Sequence, residues 1–496
     1  MTEEKKLVLR AIKDPDTRNV LKFFRKICQV PRESKREEKM TRFLANWAKR
    51  QGIPCQVDEI GNVIMDLPAT KGLENRTHVI LQAHMDMVCV KDKNKKHDFA
   101  KDPITPYIQN GWICADGTSL GADDGIGVAI MMSILSNQDS KHGHITCIFT
   151  VDEETGLTGA KKLQLTRFPK GTFFFNLDAE EFGRFYTGSA GGGNIDIQIL
   201  VKEMPTPIDT TAFNLFVGKG KGGHSGVSIH ESRANAIKIL AQIIDMCKDR
   251  DISIYLNSLI GGSATNAIPK EAQATVCVND VQAFLQCVDE MAKYMKGKYK
   301  GTDPDLEISA QETTLPSNVL DETSQDNLIN GLVASEHGVV EMSKTHIGFV
   351  SSSVNLAMCK KDDGGFTITV SYRSDDEIAK QLVCRKIRAQ WQKVANVRPY
   401  GEYLAWTPSE YNPALELAKW AYSITQREDP RCGPIHAGLE VGEFYQQRPD
   451  FFIVSLGPTI ENPHSPDEKC LAETVGPCLK VIKRTIENVP IVNNPQ

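Results

Sequence analysis

The first 190 residues alternate short apolar runs with helical patterns, and this alternation limits the fold more than any other feature of the sequence. Apolar runs of strand length lie at 77–83, 144–151 and 173–177. Between them, residues 125–138 and 156–165 have the spacing of helices. Strands that alternate with helices form layered α/β folds with a mainly parallel sheet. We therefore predict an α/β domain with a largely parallel, twisted sheet flanked by helices.

The middle of the chain follows a different pattern, which begins near the glycine-rich segment GSAGGG at 188–193. Strand-like segments with one polar face alternate there with amphipathic helices such as 232–248, and a further strand is predicted at 366–374. This pattern is typical of an α+β module. A turn-rich stretch at 395–412 then leads back to α/β character, and a final helix is predicted at 470–489.

Composition argues against several classes of partner and location. A chain of 496 residues is too long for one ordinary core, so we expect at least two domains. The formal net charge of -5 gives no reason to expect nucleic acid or an anionic membrane as partner. We expect neither a signal peptide nor a membrane helix, because no run approaches roughly 18 apolar residues. The 13 cysteines are scattered without a C-x-x-C pair, which favours a reducing, cytoplasmic location.

Acidic residues and histidines recur where the predicted α/β strands end. His84 and Asp86 follow the strand at 77–83 and point to the same side, because side chains alternate along a strand. Taken alone, this pair is either a metal ligand with its supporting carboxylate or a polar strand terminus. The other residues in such positions are Asp123, Asp124, Asp152, Glu153, Glu154, Asp178 and His464.

Open α/β sheets bind ligands in the crevice outside the carboxyl ends of their strands. Adjacent carboxylates in a crevice repel one another unless a cation neutralises them, and no lysine or arginine is interleaved in these motifs. Imidazole and carboxylate ligands together suit zinc, manganese or cobalt, and one carboxylate can bridge two ions. The alternatives are a helix cap at Asp123 or Asp124 and a solvated surface at Glu153 and Glu154. Their joint occurrence favours a metal site.

The motifs QAHMDMV, GADDGIG, VDEETGLTGA, NLDAEE and NPHSPDE resemble those of the metallopeptidase family that contains carboxypeptidase G2 and aminoacylase. Within that family, the chain most resembles the aminoacyl-histidine dipeptidases, also called peptidase D or Xaa-His dipeptidases. Further segments typical of this branch appear here as GGHSG (222–226), NAIPKEA (266–272) and HAGLE (436–440). The resemblance covers nearly the whole chain in the same order, so it is far more specific than any single motif.

The resemblance implies two zinc ions per chain, with manganese or cobalt as alternatives. Asp123 would bridge the two ions. His84 and Asp178 would hold one ion, and Glu154 and His464 would hold the other. In this family a cis peptide bond often follows the bridging aspartate, so the bond after Asp123 is expected to be cis.

The resemblance also implies the catalytic residues. Glu153 would be the general base, which takes a proton from the attacking water and passes it to the leaving amine. Asp86 would orient the imidazole of His84, because a ligating histidine normally gives its other N–H to an acceptor. The chain departs from the family at one position. Many members have a lysine two residues after the bridging aspartate, whereas this chain has Gly125.

Substrate contacts are expected mainly from the middle segment. The string GKGKGGHSG (218–226) matches G-x-G-x-x-G, but no acidic residue in an α/β unit follows it, so a dinucleotide site is not supported and a plain glycine turn remains the alternative. By the resemblance, this loop presents His224, which stabilises the oxyanion that develops on the substrate carbonyl. Arg373 suits the terminal carboxylate of a peptide, with a surface ion pair as the alternative. The remaining candidates for substrate contact are Asn266, Gly438 and Glu440.

Two of these candidates come from the HAGLE segment. Gly438 would let the backbone approach the substrate. Glu440 would receive the free amino group of the substrate, with a structural role as the alternative. No role follows for His436.

The implied ligands lie at 84–178 and again at 464, so the catalytic domain would be discontinuous. We predict that residues 1–190 and 401–496 form it, and that residues 191–400 are inserted as an α+β lid domain. The predicted function is metal-dependent hydrolysis of small peptides with a free amino terminus, preferentially Xaa-His. The alternatives are an N-acyl amino acid deacylase with the same metal centre and a non-catalytic protein that retains the fold. A homodimer stays open, because relatives include dimers and single chains.

Overall fold

The computed structural model describes Leu9, residues 12–137 and residues 140–492. The chain forms two compact units. The first unit comprises Met1–Ser189, Trp406–Pro434 and Leu439–Gln496, and the second comprises Ala190–Ala405 and Ile435–Gly438. Among the described helices, none combines the length and the apolar composition needed to cross a lipid bilayer.

Helices and strands alternate in the first part of the chain. Its helices are α1 (Pro15–Ile27), α2 (Glu38–Gln51), α3 (Ala122–Leu135), α4 (Glu153–Gly156) and α5 (Thr158–Lys162). Its strands are β1 (Cys55–Val57), β2 (Val63–Leu67), β3 (Val79–His84), β4 (Tyr107–Gln109), β5 (Trp112–Cys114), β6 (Ile145–Thr150), β7 (Phe173–Asn176) and β8 (Arg184–Ser189).

Strands predominate in the middle segment. Its helices are α6 (Ala236–Asp249), α7 (Val281–Lys298), α8 (Glu322–Ala334) and α9 (Glu377–Trp391). Its strands are β9 (Gly191–Leu200), β10 (Glu203–Pro205), β11 (Thr211–Gly218), β12 (Ile254–Gly261), β13 (Ala272–Val278), β14 (Glu307–Glu312), β15 (Asn318–Leu320), β16 (Gly338–Met342), β17 (Val350–Asp362), β18 (Gly365–Ser374) and β19 (Asn396–Tyr403).

The last segment returns to the first unit. Its helices are α10 (Pro413–Gln426), α11 (Val441–Gln447) and α12 (Ala472–Glu487). Its strands are β20 (Arg431–Ile435), β21 (Phe452–Ser455), β22 (Ile460–Glu461) and β23 (Lys469–Leu471).

The described strands of the first unit include an eight-stranded sheet in the order β1-β2-β6-β3-β7-β21-β8-β20. The four neighbours β6, β3, β7 and β21 run parallel. On either side of them, β2 and β8 are antiparallel to the neighbouring strand. The predicted α/β class is confirmed, and the parallel part of the sheet is its centre. Because parallel strands point the same way, the carboxyl ends of all four central strands lie on one edge of the sheet.

Helices α1, α3 and α12 pack together in the main hydrophobic core of this unit. Every residue of α3 is buried, because its sequence is apolar on nearly all sides. Helix α2 ends at Gly52, which adopts the left-handed conformation with φ 70°, a common helix terminus.

One local prediction was wrong, and one strand was not predicted. Residues 156–165 do not form one helix, because Leu157 adopts a left-handed backbone conformation (φ 53°) that separates the short helices α4 and α5. The turn-rich stretch at 395–412 contains the strand that was not predicted, since Asn396–Tyr403 pairs as β19 with β9 at the edge of a sheet. Edge strands are only partly buried, so their sequences lack the apolar alternation that identifies inner strands.

The second unit is an α+β fold around an antiparallel sheet. Its described strands follow the order β14-β11-β13-β12-β17-β18-β9-β19, and β16 also pairs with β17. Helices α6, α7, α8 and α9 contribute side chains to one hydrophobic core with this sheet, including Leu240, Phe284, Leu328 and Trp391. The predicted α+β character of the middle segment is confirmed.

Candidate active site

The central parallel strands deliver acidic residues and histidine to one edge of the sheet. His84 is the last residue of β3, and Asp178 follows β7 after one residue. Glu153 and Glu154 begin α4, which is separated from the end of β6 by two residues. The carboxyl ends of these strands meet because the strands are parallel neighbours. The structure therefore brings together side chains that lie up to about a hundred residues apart in the sequence.

Asp123 lies between two histidines. One carboxylate oxygen, Oδ1, is 2.9 Å from Nε2 of His84, and the other, Oδ2, is 3.0 Å from Nε2 of His464. Burial alone would raise the pKa of Asp123, but the hydrogen bonds with His464 and His84 hold it far below its usual range. The peptide bond between Asp123 and Asp124 is cis. A carboxylate that offers one oxygen to each of two imidazoles is arranged as a bridging metal ligand is.

Two further carboxylates complete separate clusters around Asp123. Asp178 Oδ1 is 3.5 Å from Nε2 of His84, and Glu154 Oε2 is 2.8 Å from Nε2 of His464. In each cluster the candidate ligand atoms lie within 4.8 Å of one another. The two clusters are His84, Asp123 and Asp178, and Asp123, Glu154 and His464.

The chemistry of these clusters fits divalent cations. Burial raises the pKa of Asp178 to about 6 and that of Glu154 to about 7, so burial penalises the charged form of both carboxylates and a nearby cation would favour it. Glu154 Oε1 is buried without a hydrogen-bond partner among the described residues. A buried carboxylate oxygen normally has a partner, and a cation would supply one. Two imidazoles with three carboxylates form the donor set that zinc, manganese and cobalt accept.

Asp86 supports both His84 and the start of α4. Its Oδ1 faces Nδ1 of His84 at 3.3 Å. The backbone N–H of Glu153 donates to Oδ1 at 3.1 Å, and that of Glu154 donates to Oδ2 at 3.3 Å. Ser34 donates its hydroxyl to Oδ2 at 2.8 Å. The contact that orients His84 was expected from the sequence. The hydrogen bonds to the backbone N–H groups of Glu153 and Glu154 were not evident in the sequence.

Glu468 was not identified by the sequence as a site residue, although it ends the HSPDE motif. Its buried carboxylate accepts the backbone N–H groups of four consecutive residues that end at Asp123, at distances of 2.7, 2.8, 2.7 and 3.3 Å. These four donors precede the helical part of α3 and have no partners within a helix. Glu468 therefore fixes the backbone that carries the bridging aspartate.

Arg32 was also missed, and no motif surrounds it. Its guanidinium is buried and donates to the carbonyl of Asp86 at 2.7 Å and to that of Gly121 at 2.5 Å. It thus joins the loop after β3 to the loop before Asp123. A Cβ at Gly125 would lie 2.6 Å from Nη2 of Arg32. The glycine that departs from the family pattern leaves room for this buried arginine.

Glu468 offers a direct test of this backbone support. We expect Glu468→Gln to lower the free energy of unfolding of the metal-free protein by about 3 kcal/mol, because an amide NH2 would face backbone N–H donors. Urea unfolding measures the change. The matched control is Asp467→Asn, since the neighbouring Asp467 is exposed. Equal midpoints for the two variants would contradict this role.

Two substrate-contact candidates of the second unit, His224 and Asn266, lie in neighbouring loops that are joined by a backbone hydrogen bond. Nδ1 of His224 accepts the backbone N–H groups of Gly226 at 3.2 Å and Val227 at 3.0 Å, which leaves the proton of the neutral imidazole on Nε2. Asn266 is exposed, and its backbone carbonyl accepts the N–H of Ser225 at 2.8 Å. The loop that carries His224 is therefore held by its own backbone and by the NAIPKEA segment.

Arg373 lies close to this loop. It donates from Nη1 to the hydroxyl of Tyr403 at 2.6 Å, and its Nε is buried without a partner in the described part of the chain. A Cβ at Gly226 would lie 3.2 Å from Nε of Arg373 and 3.1 Å from the ring of His224. The surface ion pair considered from the sequence is not formed, since Arg373 is buried. Packing also explains the glycine at position 438, because a Cβ there would lie 2.7 Å from the Tyr403 ring.

His436, to which the sequence analysis assigned no role, is buried in the second unit. Its Nε2 is 2.7 Å from Oγ of Ser353. Ser353 is the β17 residue that pairs with Arg373 on β18. Burial and the nearby Arg373 charge lower the pKa of His436 to about 3, so its imidazole is neutral. The three residues form one polar cluster beside the His224 loop.

Residues 80–488 match the model of a protein family described as peptidase family M20/M25/M40. The chain belongs to this family. The resemblance inferred from the sequence motifs is thereby confirmed, and the reaction class of the family is peptide hydrolysis. The matched residues include every candidate metal ligand.

Three known proteins illustrate the relationship. Cytosol non-specific dipeptidase of Escherichia coli is 34% identical over 470 residues, which are 94% of this chain and 96% of that protein. The crystal structure of aminoacylhistidine dipeptidase from Vibrio alginolyticus has 32% identity and a TM-score of 0.83, with 98% of both chains covered. That of aminopeptidase PepT from Bacillus cereus has 19% identity and a TM-score of 0.54 over 95% of this chain and 98% of that one, and it shares the fold.

Proposed function

We propose that this chain is a metal-dependent dipeptidase that hydrolyses dipeptides with a free amino terminus, preferentially those of the Xaa-His type. The observation that carries the proposal is the position of Asp123 between His84 and His464, with Glu153 and Glu154 beside it. The substrate class is supported by the two relatives that cover nearly the whole chain, since both are named as dipeptidases. The name of the Escherichia coli relative also supports a cytoplasmic location.

The proposed cofactor is a pair of zinc ions, with manganese or cobalt able to replace them. Asp123 would contact both ions. His84 and Asp178 would complete one set of ligands, and Glu154 and His464 the other. When bound, such a pair supplies Lewis acidity and lowers the pKa of water at the site.

Glu153 is proposed as the general base. Asp86 accepts the backbone N–H of Glu153 at the start of α4, which holds the backbone that carries the Glu153 carboxylate. Burial raises the pKa of Glu153 well above its usual range, and a carboxylate with a raised pKa is a stronger base. It would accept a proton from the attacking water and deliver it to the nitrogen of the leaving amine.

The second unit is proposed as the lid domain that binds substrate. His224, with its proton on Nε2, would donate to the oxyanion that develops on the substrate carbonyl. Arg373 would bind the terminal carboxylate through its buried Nε. Asn266 and Gly438 remain candidates for contacts with the peptide. A homodimer also stays a prediction.

The proposal is tested by histidine release from a panel of Xaa-His dipeptides and their N-acetylated counterparts. The protein is stripped with a chelator and then reconstituted with zinc, manganese or cobalt. We expect release from the free dipeptides only, and only after reconstitution. Release from the acetylated compounds alone would instead identify a deacylase. Absence of release from either group, with two ions bound per chain, would overturn the dipeptidase proposal.

A further inference from the structure

A row of buried polar side chains crosses the carboxyl ends of the central parallel strands. Ser455 on β21 donates its hydroxyl to Oδ1 of Asn176 on β7 at 2.5 Å. Asn176 donates from Nδ2 to Oε1 of Gln82 on β3 at 2.8 Å. Gln82 donates from Nε2 to Oε1 of Glu440. Each of these four side chains is fully buried. Each side chain in the row thus donates a hydrogen bond to the next one across the sheet, and the last acceptor is Glu440.

The two oxygens of Glu440 have different surroundings. Oε1 accepts from Gln82 and also from the hydroxyl of Thr150, the last residue of β6, at 2.9 Å. Oε2 is buried and has no hydrogen-bond partner within the described ranges. An unpartnered buried carboxylate oxygen costs free energy, so a native structure retains one where a ligand or ion completes it. The row holds Oε1 in place and leaves Oε2 for a partner from outside the protein.

Glu440 lies on the side of the sheet that carries the metal-ligand candidates. Gln82 and His84 are two residues apart on β3, so their side chains lie on the same face. Burial raises the pKa of Glu440 to about 8, with His84 opposing and Asp178 adding to the shift. Thr150, which donates to Oε1 of Glu440, is the residue of β6 that pairs with His84 of β3, so the carboxyl group of Glu440 lies beside the strand end that carries His84.

Two kinds of cation could complete Oε2, a metal ion or an ammonium group. Within the described residues, the clusters whose ligand atoms lie close enough to share a metal ion do not include Glu440. In a dipeptide, the amino nitrogen is two bonds from the carbon of the scissile carbonyl. A substrate whose carbonyl lies at the metal centre therefore holds its ammonium close by.

We infer that Glu440 binds the α-ammonium group of the substrate, and that Gln82, Asn176 and Ser455 are positioning residues that orient its carboxyl group. The inference rests on the proposed dipeptidase function and adds the reason for the free amino terminus. An N-acylated substrate would place a neutral amide at Oε2, which satisfies a buried carboxylate less well than a cation does.

The test uses a matched pair of substrates and the full-length protein. Alanyl-histidine and propionyl-histidine differ only in the amino group. For Glu440→Gln, we expect kcat/KM for alanyl-histidine to fall about 100-fold, because one partner of a buried charge pair is removed. The value for propionyl-histidine, which is already low in the wild type because this compound has no ammonium group, is expected to stay within about twofold. Glu416→Gln is the control, because Glu416 is exposed on α10 and forms an ion pair with Lys419.

The pair of substrates distinguishes recognition of the ammonium group by Glu440 from a purely structural role of Glu440. A purely structural role would lower kcat/KM for both compounds in the same proportion, and this outcome would overturn the inference. The metal content is expected to remain at two ions per chain, so loss of one ion from Glu440→Gln would also overturn it. Where Glu440→Gln does not fold, Glu440→Asp gives the same readout, with a higher KM for alanyl-histidine only. A wild-type protein that cleaves neither compound would instead overturn the dipeptidase proposal.

The row itself is tested at Asn176, which does not contact Glu440. Asn176→Leu removes the acceptor for Ser455 and the donor to Gln82. We expect the preference for alanyl-histidine over propionyl-histidine to fall about tenfold, because Gln82 loses its orientation. Loss of stability with an unchanged preference would show that the row only supports the sheet.

Discussion

Replacing Glu153 with glutamine is expected to lower kcat by about 10³-fold while the protein keeps its full content of metal. The amide cannot accept a proton from water, whereas its size and shape match those of the carboxylate. Both proposed ligand sets remain intact, since Glu153 belongs to neither. The hydrogen bond from the Glu153 backbone to Asp86 is also unaffected by the change.

The adjacent residue provides the matched comparison. Glu154→Gln is expected to lose one of the two ions, because Glu154 contacts His464 and completes the second cluster. Turnover of alanyl-histidine and metal content by mass spectrometry are measured for both variants. If Glu153→Gln loses metal, or keeps more than about a tenth of the wild-type kcat, Glu153 is not the general base.

The second large effect is expected from Asp123→Asn, which should bind less than one ion per chain and lose at least about 10³-fold in kcat. Asp123 offers one oxygen to each histidine of the pair. Asparagine keeps one oxygen but turns an NH2 group towards the other imidazole, so it cannot bridge. Because both clusters share this residue, neither keeps its complete set of ligands.

Asp124→Asn is the control for this experiment. Burial, with the charge of Asp178, raises the pKa of Asp124 well above its usual range, so this position disfavours a charged side chain and tolerates an amide of the same shape. Its Oδ1 accepts the N–H of Gly127 at 3.1 Å, and an asparagine oxygen can do the same. We expect Asp124→Asn to keep two ions and most of its activity. Full metal content in Asp123→Asn would contradict the bridging role.

The candidate ligands could be identified in the sequence because each follows a recognisable element. Apolar strands and amphipathic helices have periodic patterns, and parallel strands must end on the same edge of a sheet. His84 and Asp178 lie at the ends of two such strands, and in the structure Nε2 of His84 is 3.5 Å from Oδ1 of Asp178.

Other parts of the site depend on contacts that no local pattern reveals. Glu468 binds backbone groups up to 348 positions away, and Arg32 binds carbonyls that any residue could supply. Gln82 lies inside an apolar strand, so the local sequence does not indicate a functional role for it. Its hydrogen bond to Glu440, 358 positions away, connects it to the site. The prediction of one helix over 156–165 was wrong because Leu157 adopts a left-handed backbone conformation, which hydrophobic periodicity does not reveal.

The sequence by itself determined the α/β and α+β character of the two regions, the family, and the residue types that end each central strand. These features are local, because hydrophobic periodicity and short motifs are read from neighbouring residues. Only the tertiary structure decided which polar groups support the centre and which oxygen is left for a ligand. Such groups are satisfied by partners distant in the chain, so their roles appear only when the chain is folded.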